Sequence, residues 1–192
     1  MQTSLWYQND YRIRKKVMAF TNQYWIEDGG GNVVGYTKQK MLRMKEDIRI
    51  FSDASMNGEL FRIQQEQVLD MWGNFAIVDS SSNAVVGRIR RSAMSGIAAD
   101  EYLLFDAAGQ QIGRVFENAG RGLARKYLPG GNLAPEKVCV EFLGRPVGEI
   151  KQAFKLVGDE WSVDCSNIPP QFDRRTLLGA VILMGMIERD RK

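Results

Sequence analysis

At 192 residues and a net charge of +3, the chain suits one domain with a substantial core. It has no histidine, which excludes Ser-His-Asp and Cys-His catalysis and His-metal sites, and its two cysteines, Cys139 and Cys165, make no zinc signature. The mild positive balance permits an anionic partner but falls short of the dense basic footprint of a nucleic-acid binder.

The first ten residues, Met1 to Asp10, are polar and aromatic and lack the apolar run of a signal peptide. With so few cysteines, a reduced cytoplasmic setting is expected, with Cys139 and Cys165 as buried free thiols in strands. Residues 1–50 carry nine Lys/Arg against five Asp/Glu; residues 51–87 carry only Arg62 against five acids.

From about residue 11 onward a strand-turn-strand unit recurs. Tyr24-Trp25-Ile26-Glu27-Asp28 leads to Val33-Val34-Gly35, and Ile48-Arg49-Ile50-Phe51-Ser52-Asp53 to Leu60-Phe61. Phe75-Ala76-Ile77-Val78-Asp79 leads to Val85-Val86-Gly87, and Tyr102-Leu103-Leu104-Phe105-Asp106 to Gln111-Ile112-Gly113. A fifth copy runs from Val138-Cys139-Val140-Glu141-Phe142 to Pro146-Val147-Gly148. The acids Asp28, Asp53, Asp79 and Asp106 are 25, 26 and 27 residues apart, a period of repeated supersecondary units. Each acid precedes a turn and is read as accepting backbone N–H groups there. Gly29-Gly30-Gly31 and Asn57-Gly58 mark two of these turns. No helix follows the triple glycine, so it is no dinucleotide fingerprint, and no GxxxxGK loop is present.

The pattern predicts about twelve strands, near 11–18, 22–28, 33–40, 47–53, 59–66, 73–79, 84–91, 101–106, 111–117, 137–142, 146–154 and 160–165. Consecutive antiparallel hairpins in this number must bury one face and protect their edges, and closure into a barrel does both. On the return strands one parity holds Gly35, Phe61, Gly87, Gly113 and Gly148, followed two residues later by Ile63, Ile89, Val115 and Ile150, with Thr37 in the first copy. This parity is read as inward, its glycines making room for something close. The opposite parity holds Lys38, Lys40, Arg62, Arg88, Arg90, Arg114 and Lys151 against Glu66 and Glu149, a basic outer face.

The segment from Asn118 to Glu136 stands outside the repeat. Arg121, Arg125 and Lys126 lie there among Leu123, Tyr127 and Leu128, a candidate basic and partly apolar lip. After Pro169-Pro170, Asp173 is a plausible N-cap, and Phe172 with Leu177 fits a hydrophobic staple. Leu177 to Ile187 is apolar on every side and uncharged. Such a helix is buried, and eleven residues rise only about 16 Å against about 30 Å of bilayer hydrocarbon. The fold class is therefore mainly β. A single domain over residues 1–192 is expected, a closed antiparallel barrel of about twelve strands around a buried hydrophobic helix at about 174–189.

This ordered series resembles the tubby C-terminal-like fold, and within it the LURP-one-related and phospholipid scramblase-like proteins. The likeness is carried by Tyr11-Arg12-Ile13-Arg14-Lys15-Lys16, by Tyr24 to Lys40, by Asp53 to Phe61, by Phe75 to Arg91, and by Trp161 through Leu177-Leu178-Gly179-Ala180-Val181. It implies a barrel wrapped around its C-terminal helix. Tubby proteins bind phosphoinositides through a cationic patch, scramblases act on membrane phospholipids with calcium, and LURP-one-related proteins are mostly of uncertain role. The chain lacks the proline-rich region and cysteine cluster of animal scramblases, and Asp164 to Asp173 has too few carboxylates for a calcium loop.

The resemblance and the basic face together imply a non-enzymatic protein that binds anionic phospholipid headgroups at a membrane surface. Its candidate contacts are Lys38, Lys40, Arg88, Arg90, Arg121, Arg125 and Lys126, with no catalytic or metal-binding residues, no cofactor and no nucleic-acid partner. Two alternatives stand beside it. One is a protein-interaction barrel anchored by outward Trp6, Tyr7 and Trp72. The other is a scramblase-like lipid-moving protein that exposes its helix in a membrane.

Overall fold

The computed structural model describes residues 5–17, 21–40, 47–66, 73–92, 101–117, 137–155 and 158–187. Twelve strands follow one another: β1 (Asp10–Val17), β2 (Thr21–Asp28), β3 (Val33–Lys40), β4 (Ile48–Phe51), β5 (Glu59–Gln65), β6 (Asn74–Asp79), β7 (Val85–Arg91), β8 (Glu101–Asp106), β9 (Gln111–Glu117), β10 (Lys137–Phe142), β11 (Arg145–Lys155) and β12 (Gly158–Asp164). Each pairs antiparallel with its neighbours in sequence, and β1 pairs with β12, so the sheet closes and no strand is left as an edge. One helix, α1 (Arg174–Ile187), follows.

The strands form because β-branched and aromatic residues alternate with polar ones, one set facing the axis. Ile13, Tyr24, Ile26, Ile50, Ile63, Ile77, Ile89, Tyr102, Leu104, Val115, Ile150 and Trp161 are buried inside. The inward parity holds, including Thr37, which is 2% exposed. A twelve-stranded barrel is too wide for its own side chains to fill, and α1 fills it. Every described side chain of α1 from Arg174 to Met186 is buried. A Cβ on Gly179 would lie 2.8 Å from Ile77 Cδ1 and 3.1 Å from Ile89 Cδ1, and one on Gly185 would lie 2.9 Å from the Trp161 ring. Helix and wall are therefore in direct contact at both glycines.

The barrel glycines have a different job from the one expected of them. The register shifts at Ile26/Glu27, Ile50/Phe51, Ile77/Val78, Leu104/Phe105 and Val140/Glu141, so every outgoing strand bulges just before its turn. The repeat glycines sit opposite these bulges. A Cβ on Gly113 would strike the Glu141 carbonyl of β10, and one on Gly148 the Asp164 carbonyl of β12. Among the wall glycines of the repeat, Gly87 alone meets the helix, at Thr176. The repeat thus encodes a bulge and a close strand crossing, which let the sheet coil into a barrel.

All the turns that follow the bulges stand at one rim, which also receives the N-terminus of α1. There Asp28 accepts from the N–H groups of Gly30 and Asn32, Asp53 from Ser55, Asp79 from Ser81 and Ser82, Asp106 from Gln110 and Asp164 from Ser166. These acids are turn residues, and together they form an acidic crown. The β4–β5 turn differs in detail from the Asn-Gly expectation. It spans 52–58, and Met56, not Asn57 or Gly58, takes the left-handed conformation at φ 57°.

The helix ends are where its buried polar groups must find partners. Asp173 caps the start: its Oδ1 accepts from the Arg175 N–H at 3.0 Å. Phe172 and Leu177 are both buried, as the staple requires. Two arginines in the first turn run against the helix dipole, and each has a specific role. Arg174 donates to the carbonyls of Ile168, Phe172 and Pro169. Arg175 binds Asp173 and reaches across to Asp79 Oδ2 at 2.5 Å, tying helix to wall. At the other end the buried Lys15 ammonium donates to the Gly185 carbonyl at 2.5 Å. Inward positions near that end are polar: Lys15, Thr37, Arg91, Glu117 and Asp159 are all buried.

Two outcomes test this arrangement. Val181→Asp places an unpaired charge where exposure is zero; it costs several kcal/mol, on the order of the protein's whole stability, and should leave no cooperative thermal transition. Gly113→Ala should lower stability by about 1–3 kcal/mol in urea unfolding through overpacking, whereas Arg88→Ala on the outer face should not. Burial pushes the Asp79 carboxyl up, but hydrogen bonds from Ser81, Arg175 and Ser82 outweigh this and hold it well below the usual range. Its contribution is present above about pH 4 and lost as pH falls further. Arg175→Met should cost about 3 kcal/mol at pH 7 and flatten the acid branch of the stability curve.

Candidate functional site

The outer wall has two electrostatic halves. From β5 to β11 most of the outward cations have an acid within reach, Arg90 being an exception. Arg88 bonds to Glu66 at 3.0 Å and to the Ala107 carbonyl at 2.7 Å. Arg114 is held between Glu101 at 3.2 Å and Glu141 at 2.9 Å, with its guanidinium 4.3 Å from the Phe116 ring centre. Glu149 takes Lys137 at 2.8 Å and Lys151 at 3.5 Å. Arg62 bonds to Asn83 and lies 3.5 Å from Glu59. Arg90 packs over Phe105, 5.0 Å from the ring centre.

The wall from β1 to β4 keeps an excess of positive charge. Register places Lys16 opposite Gln23 and Gln23 opposite Lys38, so the three form one outer tier across β1, β2 and β3. The next tier toward the crown is Arg14, Trp25, Tyr36 and Phe51. Two residues back along β4 from Phe51, on the face of Lys38, stands Arg49. Lys16 and Lys38 are exposed and have no carboxylate partner among the described residues. With neighbouring strands about 4.8 Å apart, their backbones are about 10 Å apart. Arg12 and Arg14 share Glu27, Arg12 also lies 3.8 Å from Glu160 on β12, and Arg49 shares Glu59 with Arg62. Arg14 lies over Trp25, 5.6 Å from its centre, and Trp25 packs on Tyr36 at 5.5 Å. Burial raises the Tyr36 phenol pKa, so this tier is aromatic and uncharged apart from Arg14.

The structure therefore divides the candidate contacts read from the sequence. Lys38 belongs to the basic wall. Arg88 and Arg90 on β7 lie four strands away, about 19 Å along the wall, and are engaged there. The side chain of Lys40, and Arg121, Arg125 and Lys126, lie outside the described residues. Arg12, Arg14, Lys16 and Arg49 are additions that the return-strand pattern missed. For the first three the signal was the alternation begun by Arg12-Ile13-Arg14 on the opening strand, and for Arg49 it was Ile48-Arg49-Ile50. Trp6 is not an outward anchor: it is 2% exposed and stacks edge-on to Phe61 at 5.2 Å, because the segment before β1 folds back onto the core. Tyr7 is 40% exposed, and Trp72 lies outside the described residues.

Among the described residues no group of three or more Cys, Asp or Glu side chains is placed to hold a metal ion. No described helix is long and apolar enough to cross a membrane.

A closed twelve-stranded barrel filled by one apolar helix, with a basic outer wall, defines the class of protein. The chain belongs to the LURP-one-related family, whose model matches residues 9–185. Neither the curated proteins nor the solved structures contain a match to it.

Both thiols are free, but their settings differ. Cys139 is half-buried on the outer side of β10, while burial pushes the Cys165 thiol up to about 12. A thiol reagent at pH 7.5 should modify Cys139 in the native protein and reach Cys165 only on unfolding, as peptide mapping would show.

Proposed function

We propose that this protein binds anionic phospholipid headgroups at a membrane surface, without turnover, through the outer wall of β1–β4. The observation that carries this reading is the tier of Lys16, Lys38 and Arg49, solvent-exposed on the outside of the sheet and short of counter-charge, with Glu59 alone beside Arg49 among the described residues. Trp25 beside it, half-buried on the buried Tyr36 ring, supplies an amphipathic aromatic of the kind favoured at a headgroup layer. Membership of the LURP-one-related family supports the reading only at the level of fold.

A second reading, a protein-interaction barrel, has its own observation. Leu143 at the β10–β11 turn is 68% exposed, and Met56 and Val33 at other turn tips are 44% exposed. These apolar tips would suit a protein partner and lie at the crown, away from the basic tier.

Vesicle co-sedimentation separates the two. Each basic residue near an anionic surface contributes about 1 kcal/mol, so Lys16→Glu, Lys38→Glu and Arg49→Glu together should weaken binding to phosphatidylserine vesicles by at least about 100-fold. Binding should also fall with salt as the Debye length shrinks to about 8 Å at 0.15 M. Arg88→Glu with Arg90→Glu should have a much smaller effect. Wild-type protein that ignores anionic vesicles at low salt sinks the lipid reading and leaves the partner reading in place.

A further inference from the structure

We infer that the barrel docks on an anionic bilayer in one tilted pose, with the C-terminal end of α1 toward the membrane and the turn crown turned to water. This deepens the proposed lipid reading and rests on it. The argument is a charge gradient along a single wall. From the rim nearest the end of α1, the outer tiers of β1–β3 read Lys16, Gln23 and Lys38, then Arg14, Trp25 and Tyr36, then Arg12 with Glu27, then Asp10 at the crown. Positive charge is unmatched in the first tier, met by Glu27 and Glu160 in the middle and reversed at the end.

The crown is a fixed negative surface. The Asn32 side chain and backbone N–H hold the Asp28 carboxyl below its usual range, and the Ser55 hydroxyl and N–H do the same for Asp53. Ser166 lowers Asp164 in the same way. These carboxylates are ionised at neutral pH. Asp10 lies directly opposite Asp164 across β1 and β12, which concentrates the charge. Val33, next to the β2–β3 turn, is five residues from Lys38, about 17 Å along β3. That exceeds the Debye length of about 8 Å. A bilayer can therefore attract the first tier while the crown stays screened, whereas docking on the crown would press carboxylates against lipid phosphates. Arg14 and Trp25 in the second tier then lie at the membrane edge rather than beneath it.

Single fluorophores test the pose. In a Cys139→Ser background, with Cys165 buried, labels are placed at Gln23→Cys and Asp47→Cys near the lower rim and at Ala54→Cys and Ala108→Cys on crown turns. Each labelled protein is mixed with phosphatidylserine vesicles that carry a headgroup quencher, and its sedimentation is measured in parallel. The inference expects strong quenching at 23 and 47 and no loss at 54 and 108. Bound protein with quenched crown labels, or with all labels quenched alike, overturns the pose and leaves lipid binding standing. Failure of every labelled protein, and of the unlabelled one, to sediment with the vesicles overturns lipid binding and the pose with it. The two lower-rim labels guard against a substitution that itself disturbs the tier.

Discussion

The structure depends on an apolar helix that has no face suited to water. Leu177 to Met186 is buried on every side, and only a wall that surrounds it completely can do that. Closure of the sheet and burial of the helix are thus one event. The barrel would be hollow without α1, and α1 would be insoluble without the barrel. At about 25 cal/mol per Å² of apolar surface removed from water, a fully enclosed helix is among the largest stabilising contributions a chain of this size can make.

That solution moves the polar problem to the helix ends. At the crown, Asp173, Arg174 and Arg175 satisfy carbonyls, N–H groups and each other, and Arg175 extends the network to Asp79 in the wall. At the far end Lys15 points inward from β1 to the Gly185 carbonyl. The cation suits the negative end of the helix dipole and also lies 5.3 Å from the centre of the Tyr24 ring. Both ends of the helix are therefore fastened to specific strands, which fixes its depth in the barrel.

With the interior committed to packing, recognition is left to the outside. The outer wall was shaped by the same hairpin repeat, and its acids and bases pair where closure of the sheet brings a Glu within reach of a return-strand Arg. Glu66 pairs with Arg88, and Arg114 sits between Glu101 and Glu141, of which Glu141 is directly opposite it. Strands β1 to β4 carry fewer acids, and Glu27 is already shared by Arg12 and Arg14. Charge bias on one side is a consequence of where the acids stop.

Much of the barrel was legible in the sequence. The period of the turn acids, the inward alternation of Ile and Val, and the uncharged run from Leu177 to Ile187 are local patterns, and local patterns report strand, turn and buried helix directly. The inward polar positions were not read from the sequence, although Arg91 and Glu117 stand two residues beyond Ile89 and Val115 on the same parity. What the sequence could not supply was anything that depends on register. Whether Arg88 is free or bonded is decided by a glutamate 22 residues away. Gly113 is a glycine because of a carbonyl on β10. Trp6 is buried because the chain before β1 returns to Phe61. Lys16 and Lys38 form one tier because β2 puts Gln23 between them. Periodicity sets which face a side chain takes; only closure of the sheet decides which distant side chain it meets there, because that choice is made by hydrogen-bond register between strands and not by any residue's own preference.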